Sequence, residues 1–489
     1  MKFIKSYIKK KFTLRQIALL VLFFVTLRVL IELLLLNYPI ELDSFQHYAR
    51  FYLENVYYFI ILFFLLSFLL SKLLGKNMLD IANFAIKFFP IIMLPPIIDY
   101  FFFNIKEGYN YATIENFFDN FLTLSLIKGD ASPGITFEVV LVFIFVCAYV
   151  FYIKKSLVFS ILAGALTSLV TVAVSTPDLF FGVGKGDFYY DYFLPSYYFF
   201  QSIVLISFLS YYHKKEKLKA VLSNLRPLKS MMFIIFVLLG SLAATKFGHK
   251  FDLYKTLLAS IIPFLGWQFS IVVNDIYDYD IDKITNRNRP LVKKILTKYE
   301  YKFVAFIFAF LALSFAAIFN IQIFLATILG LALGIVYSVP PFRLRKYFIG
   351  NLVIGISLVV TFAIGFLVNN DWMIFLSSKN LTFIFLLFVF GTIITFTKDI
   401  KDIKSDSKFG IQNFYTIFGK EKGKKIVTVL LFLVLNLPLF LLKNLALLPI
   451  SIIISCLTCY MYYKKEDEKL VYMMSALLAI YIFIRLYYF

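Results

Sequence analysis

Two short stretches of this 489-residue chain carry the same acidic spacing. The first reads Asn274-Asp275-Ile276-Tyr277-Asp278-Tyr279-Asp280-Ile281-Asp282 and the second Lys398-Asp399-Ile400-Lys401-Asp402-Ile403-Lys404-Ser405-Asp406. In both, Asp recurs at i, i+3 and i+7, which on a helix stacks three carboxylates on one face over two turns. Like charges placed that way repel, so the arrangement predicts a bound cation. Oxygen ligands alone, without His or Cys, favour Mg²⁺ or Ca²⁺ over zinc. One triad by itself is as readily read as a solvated helix end. Two, 124 residues apart and each closing an apolar run, predict a two-sided metal clamp. The natural ligand of such a clamp is a diphosphate, which can approach carboxylates only through bridging Mg²⁺. Cations lie close by in the sequence: Arg287 and Arg289 after the first triad, Lys398 and Lys401 around the second, and Arg343, Arg345 and Lys346 between them.

These motifs must be held by helices in lipid. The chain is 61% hydrophobic and 16% charged, with a mean hydropathy of +0.84, too apolar for a soluble protein of this length. Apolar windows near the length of a membrane crossing fall at about 17–37, 56–75, 79–103, 136–153, 156–176 and 195–212. A second set follows at about 230–247, 255–274, 303–319, 321–338, 348–368, 380–397, 425–442, 445–463 and 470–488. The expected fold is an all-α polytopic membrane protein with six N-terminal spans and a nine-helix bundle. The third window is the least regular, being interrupted by Pro90, Pro95 and Pro96. The net charge of +20 suggests nucleic acid only until it is placed on this topology. With the N-terminus inside, 37 of the 49 Lys and Arg residues fall in inner segments. That bias is the positive-inside rule, and it puts both triads on the cytoplasmic face of a multi-pass cell-membrane protein with no nucleic-acid partner. The run from Ile17 to Leu36, after a lysine-rich start, is expected to be a retained signal anchor. The basic stretch 213–229 is expected to be a cytoplasmic linker between an N-terminal membrane domain, 1–212, and a second domain, 222–489.

The first motif, followed by Asn288-Arg289-Pro290-Leu291, resembles the first signature of the UbiA superfamily of intramembrane prenyltransferases. The second resembles that family's other Asp-x-x-Asp-x-x-x-Asp signature, with Gly410 and Gly419 beyond it. Tyr337-Ser338-Val339-Pro340-Pro341-Phe342-Arg343-Leu344-Arg345-Lys346 resembles the family's middle loop, and Arg226-Pro227 the opening of its first helix. Nine spans are also the family's number. The resemblance covers about Leu222 to Phe489 and implies a Mg²⁺-dependent transfer of a prenyl group from a polyprenyl diphosphate to an acceptor. It implies metal ligation by Asp275, Asp278, Asp282, Asp399, Asp402 and Asp406. It also implies stabilisation of the allylic cation by the ring of Tyr337. Asn274, Arg226, Arg289, Arg343, Arg345, Lys346 and Lys398 are the expected substrate contacts, guanidinium groups pairing well with phosphate oxygens.

The stretches Arg345–Asn351 and Lys398–Asp406 lean toward enzymes similar to digeranylgeranylglyceryl phosphate synthase, whereas Pro340-Pro341 also resembles the homogentisate and chlorophyll-synthase branches. Val292 and Ser405 depart from the family's usual residues. The acceptor therefore stands open between a glycerol-phosphate lipid and an aromatic ring, with a sugar phosphate or a haem-like or other ring as the remaining alternatives. A cation-coupled transporter and a lipid-holding pseudoenzyme are the rival readings. In the first 220 residues, Arg28 and Glu32 are expected to pair on one helix face. Lys87, with Asp80 and Asp99, is a candidate to line a polar cavity. Gly182-Val183-Gly184-Lys185-Gly186 is expected to be a turn. The cysteines at 147, 456 and 459 are expected to be inert packing.

Overall fold

The computed structural model of the protein describes residues 11–36, 45–107, 109, 114–124, 131–181, 192–248, 250–401, 403–441 and 447–488. All regular structure among them is helical. Ten helices are long and apolar enough to cross a membrane. Helices are what a lipid solvent demands, because they satisfy backbone N–H and C=O groups within one segment. The chain divides into two compact units, Met1–Leu209 and Ser210–Phe489.

The first unit contains α1 (Leu14–Leu35), α2 (Phe45–Leu74), α3 (Met78–Phe88), α4 (Leu94–Phe103), α5 (Phe117–Leu122), α6 (Pro133–Lys154) and α7 (Leu157–Ser175). Prolines shape the third expected span. α3 stops at Phe88, Pro90 enters the 3₁₀ turn Phe89–Met93, and Pro95 and Pro96 open α4. All lie in first turns, where a missing N–H costs little. Asp99 is fully buried. It is a structural acceptor for the Gly134 amide (2.7 Å), Ser132 Oγ (2.5 Å) and the Tyr109 hydroxyl (2.8 Å). Asp80 is exposed, 3.6 Å from Lys11. Arg28 and Glu32 do pair, at 3.7 Å and both buried. The three cysteines are free thiols, two of them donating to backbone carbonyls. The Gly182–Gly186 turn lies outside the described residues.

α8 (Leu194–Asn224) is two helical segments that meet at a kink at Lys214 (φ −146°, ψ 58°), and the second segment carries the expected linker as far as Asn224. Hydropathy marks where a helix leaves lipid, not where it ends, and Lys-Lys-Glu-Lys-Leu-Lys-Ala is a strong helix-forming run.

In the second unit the nine expected windows are α9 (Pro227–Ala244), α10 (Leu253–Tyr277), α12 (Lys298–Phe319), α13 (Ile321–Ser338), α14 (Gly350–Phe366), α15 (Ser378–Asp399), α18 (Lys420–Leu441), α19 (Leu448–Tyr460) and α20 (Glu468–Tyr488). Short helices α11 (Tyr279–Thr285), α16 (Ile403–Lys408) and α17 (Phe414–Phe418) lie between them. α9 and α14 meet through glycine on both sides. A Cβ on Gly240 would stand 2.0 Å from the Phe362 carbonyl oxygen, and one on Gly365 2.0 Å from that of Val237. Lipid supplies no hydrophobic drive between helices, so close backbone approach by small residues takes its place. α10 packs on α12 and α13 through Phe269, Val272, Val273 and Ile276 against Tyr301, Ala305 and Leu331, which fixes the helix end that carries the first acidic motif.

Candidate active site

The helix ends exactly where chemistry is expected to begin, but not as one continuous face. Asp278 adopts φ −95°, ψ 10°, closing α10, and α11 restarts at Tyr279. The amides of Asp278 and Asp282 still reach the carbonyls of Asn274 and Asp278 at 2.8 Å. The break lets each carboxylate meet its own partners instead of its two neighbours. In the second motif α15 ends at Asp399 and α16 begins at Ile403. Asp402 lies outside the described residues.

The first triad is buried: Asp275, Asp278 and Asp282 are 1%, 2% and 4% exposed. Asp275 Oδ2 accepts from Asn224 Nδ2 (2.8 Å) and the Tyr301 hydroxyl (3.1 Å), with Arg289 Nη1 at 3.5 Å, and Arg226 Nη2 lies 3.4 Å from Oδ1. Asp278 is held by Arg343 Nη2 at 3.1 Å and by a close contact from Arg345. Asp282 Oδ1 accepts from Asn286 (2.8 Å), while its buried Oδ2 has no hydrogen-bond partner and Arg289 Nε is 4.0 Å away. Burial raises the Asp282 carboxyl from its usual 3.8 to about 6, against the lowering effect of the Asn286 hydrogen bond. In the second triad Asp399 accepts from Asn351 (3.1 Å) and Asp406 from Asn413 (2.6 Å).

A cavity of about 370 Å³ brings the motifs together. Asp282 from the first and Asp399 and Asp406 from the second border it, with Asn274, Arg226, Arg289, Arg345, Lys398 and Tyr337. Its walls continue into the bundle through Phe233, Ile262, Pro263, Trp267 and Leu331. This is one polar mouth on an apolar recess. Lys398 Nζ donates to the Tyr337 hydroxyl at 3.3 Å and stands 5.6 Å from the ring centroid. Four expected site residues do not border this cavity. Lys346 is exposed, Arg343 spends its Nη2 on the Tyr277 carbonyl (3.0 Å) and on Asp278, and Asp275 and Asp278 lie behind the lining, against arginines. Tyr279 covers Lys283, 4.1 Å from its ring centroid.

Among the described residues no three His, Cys, Asp or Glu side chains converge closely enough to hold a metal by themselves. The donor set nevertheless suits Mg²⁺: all ligands are hard oxygens, and Asp282 Oδ2 is a buried, unsatisfied carboxylate oxygen at the cavity. Asn224 was not legible from sequence, although it joins Asp275, Tyr301 and Arg289 (2.7 Å from Nη1). Nor was Tyr301. Asn351, Asn286 and Asn413 were also missed, and their only signal was nearness to a motif.

The model of the UbiA prenyltransferase family matches residues 233–480. Digeranylgeranylglyceryl phosphate synthase of Methanosphaera stadtmanae is 28% identical over 262 residues, 53% of this chain and 84% of its own length. A probable homogentisate phytyltransferase 2 of Oryza sativa is 28% identical over 178 residues, covering 34% of this chain and 45% of that protein. A solved UbiA homolog from Archaeoglobus fulgidus, bound to DMAPP and Mg²⁺, aligns over 55% of this chain and 99% of its own at 20% identity and a TM-score of 0.44. The chain belongs to the UbiA prenyltransferase family: it is an integral, multi-pass membrane prenyltransferase.

Proposed function

We propose that the unit Ser210–Phe489 transfers a prenyl group, with Mg²⁺, from a polyprenyl diphosphate to a glycerol-phosphate lipid at the cytoplasmic face. The observation that carries this is the single cavity bordered by Asp282, Asp399 and Asp406, drawn from both acidic motifs, over an apolar recess. Bound Mg²⁺ would neutralise the diphosphate and its leaving-group charge. Asp282, Asp399 and Asp406 are the oxygens at the cavity that would hold it, with Asp402 expected to join them. Arg226, Arg289 and Arg345 present guanidinium groups to phosphate oxygens at the mouth. The prenyl chain lies along Phe233, Trp267 and Leu331. The C1–O bond breaks with its electron pair leaving on the diphosphate, the Tyr337 ring faces the allylic cation, and an acceptor oxygen bonds to C1 and gives up its proton.

Arg226, Arg289, Arg345, Lys398 and Lys401 border the cavity, and a phosphate on the acceptor would find cations there as the diphosphate does. The 28% identity to a digeranylgeranylglyceryl phosphate synthase over 84% of its length supports the same acceptor. The concentration of 37 of 49 basic residues in inner segments supports the cytoplasmic face. The test incubates purified protein with radiolabelled geranylgeranyl diphosphate, Mg²⁺ and either geranylgeranylglyceryl phosphate or homogentisate. Product with the first acceptor alone is expected. Product with homogentisate alone would move the reading to an aromatic acceptor.

A further inference from the structure

The first unit encloses a cavity of its own, about 340 Å³, within the size range of small-ligand sites. Its lining changes character from one end to the other. At one end stand Arg28, Glu32, Glu54, Asn55, Tyr58 and Glu138. Side-chain contacts tie this end together: Arg28 Nη1 donates to Asn55 Oδ1 at 2.8 Å, and the hydroxyls of Tyr58 and Ser175 share a 2.7 Å bond. At the other end are Leu66, Leu70, Ile81, Phe84, Val146 and Tyr149, with Phe84 and Tyr149 stacked at 3.8 Å between centroids. Walls of that kind exclude water. A polar ligand alone would leave the inner end empty, and a hydrocarbon alone would set apolar surface against Glu138 and the buried Arg28 Nε.

The head end defines the ligand further. Three carboxylates oppose one guanidinium, and that guanidinium is already engaged by Glu32 at 3.7 Å and by Asn55. A phosphate head would bring a further anion beside Glu32 and Glu54. An ammonium head would match the carboxylates, but it brings no acceptor for Arg28 Nε, a buried N–H that has no hydrogen-bond partner. A hydroxyl both donates and accepts.

We propose that this cavity is a lipid-binding site for a single-chain amphiphile with an uncharged, polyhydroxylated head, a glycerol or a sugar, held by Glu138, Glu54 and Arg28 with its tail along α2, α3 and α6. Nothing in the prenyl-transfer chemistry uses these residues.

The test uses the full chain in dioleoylphosphatidylcholine nanodiscs with tritiated monolauroylglycerol as probe. Saturable binding near one per protein is expected, displaced by unlabelled probe or dodecyl glucoside and not by tail-matched dodecyl phosphate or dodecylamine. Glu138→Gln should weaken binding about tenfold, because the amide replaces one carboxyl oxygen that accepts from the head with an N–H donor. Val146→Trp, which fills the tail end, should abolish it. If Val146→Trp is not monodisperse, Ala85→Phe on α3 takes its place and must give the same loss. Absence of saturable binding overturns the proposal, as does equal binding by both variants when they elute as the wild type does. Displacement by dodecyl phosphate or dodecylamine as strong as by monolauroylglycerol overturns the polyol head.

Discussion

Asn224 Nδ2 donates to Asp275 Oδ2 at 2.8 Å across 51 residues of chain, and its own Oδ1 takes a 2.7 Å bond from Arg289. One amide thus holds the first aspartate of the acidic motif and an arginine of the cavity mouth in fixed relation. Removing such a supporting partner commonly costs 10–100-fold in metal affinity or activity. Asn224→Ala is expected to lower kcat/KM by that order and to raise the Mg²⁺ concentration for half-maximal rate. Asn224→Asp, which sets a second carboxylate against that of Asp275, should be worse. A Mg²⁺ titration unchanged in both variants would assign Asn224 to folding alone.

Asp282 and Asp399 come from different motifs and border one cavity. If they act together on metal and diphosphate, Asp282→Asn and Asp399→Asn should each cut turnover by about a hundredfold or more. The double variant should then be little worse than either, because groups working as a unit are non-additive. Full activity in EDTA would refute the metal clamp.

For Tyr337 the ring and the hydroxyl can be separated. Lys398 already donates to its oxygen at 3.3 Å, so Tyr337→Phe loses one hydrogen bond and keeps the π face. A desolvated cation–π contact is worth about 2 kcal/mol, some thirtyfold in rate. Tyr337→Ala should therefore lose roughly thirtyfold in kcat, and Tyr337→Phe much less. Equal losses would place the effect in the hydroxyl.

Glu466 lies outside the lipid-spanning helices, where Lys424 Nζ (2.7 Å) and Lys420 Nζ (3.3 Å) donate to it. The Lys424 hydrogen bond, chiefly, holds its carboxyl below the ordinary value of 4.5. A depressed carboxylate stabilises the fold above its unfolded pKa and loses that contribution as pH falls through the folded value. Glu466→Gln should therefore melt lower than wild type at pH 7, with the gap closing as pH is taken below about 4.5. Thermal unfolding in detergent at a series of pH values measures this.

Much of this was visible in the chain itself, and the failures share a cause. Apolar windows located the helices because lipid leaves a helix almost no alternative. Arg28 and Glu32 were legible because i, i+4 spacing puts them in contact whatever surrounds them. The acidic triads were legible as repeats, yet the breaks after Tyr277 and Asp399 were not, since the same spacing suits an unbroken helix. α8 kinks at Lys214, where the basic stretch begins, but the chain is helical again to Asn224, because Lys and Glu end a hydrophobic run without barring a helix. Asn224 and Tyr301 were invisible: their partner Asp275 is 51 and 26 residues away, and no local pattern encodes a contact of that range.

The crossing of α9 and α14, with Gly240 on the Phe362 carbonyl and Gly365 on that of Val237, also sets a timetable. The partner residue for Gly240 leaves the ribosome about 120 residues later, roughly 6–24 s at 5–20 residues per second. During that interval α9 sits in the bilayer with a bare glycine notch and no backbone to fill it. The first helix of the catalytic bundle is therefore expected to be a late joiner, seated only when α14 is threaded, and a natural client for whatever shelters unpaired helices at the insertion site.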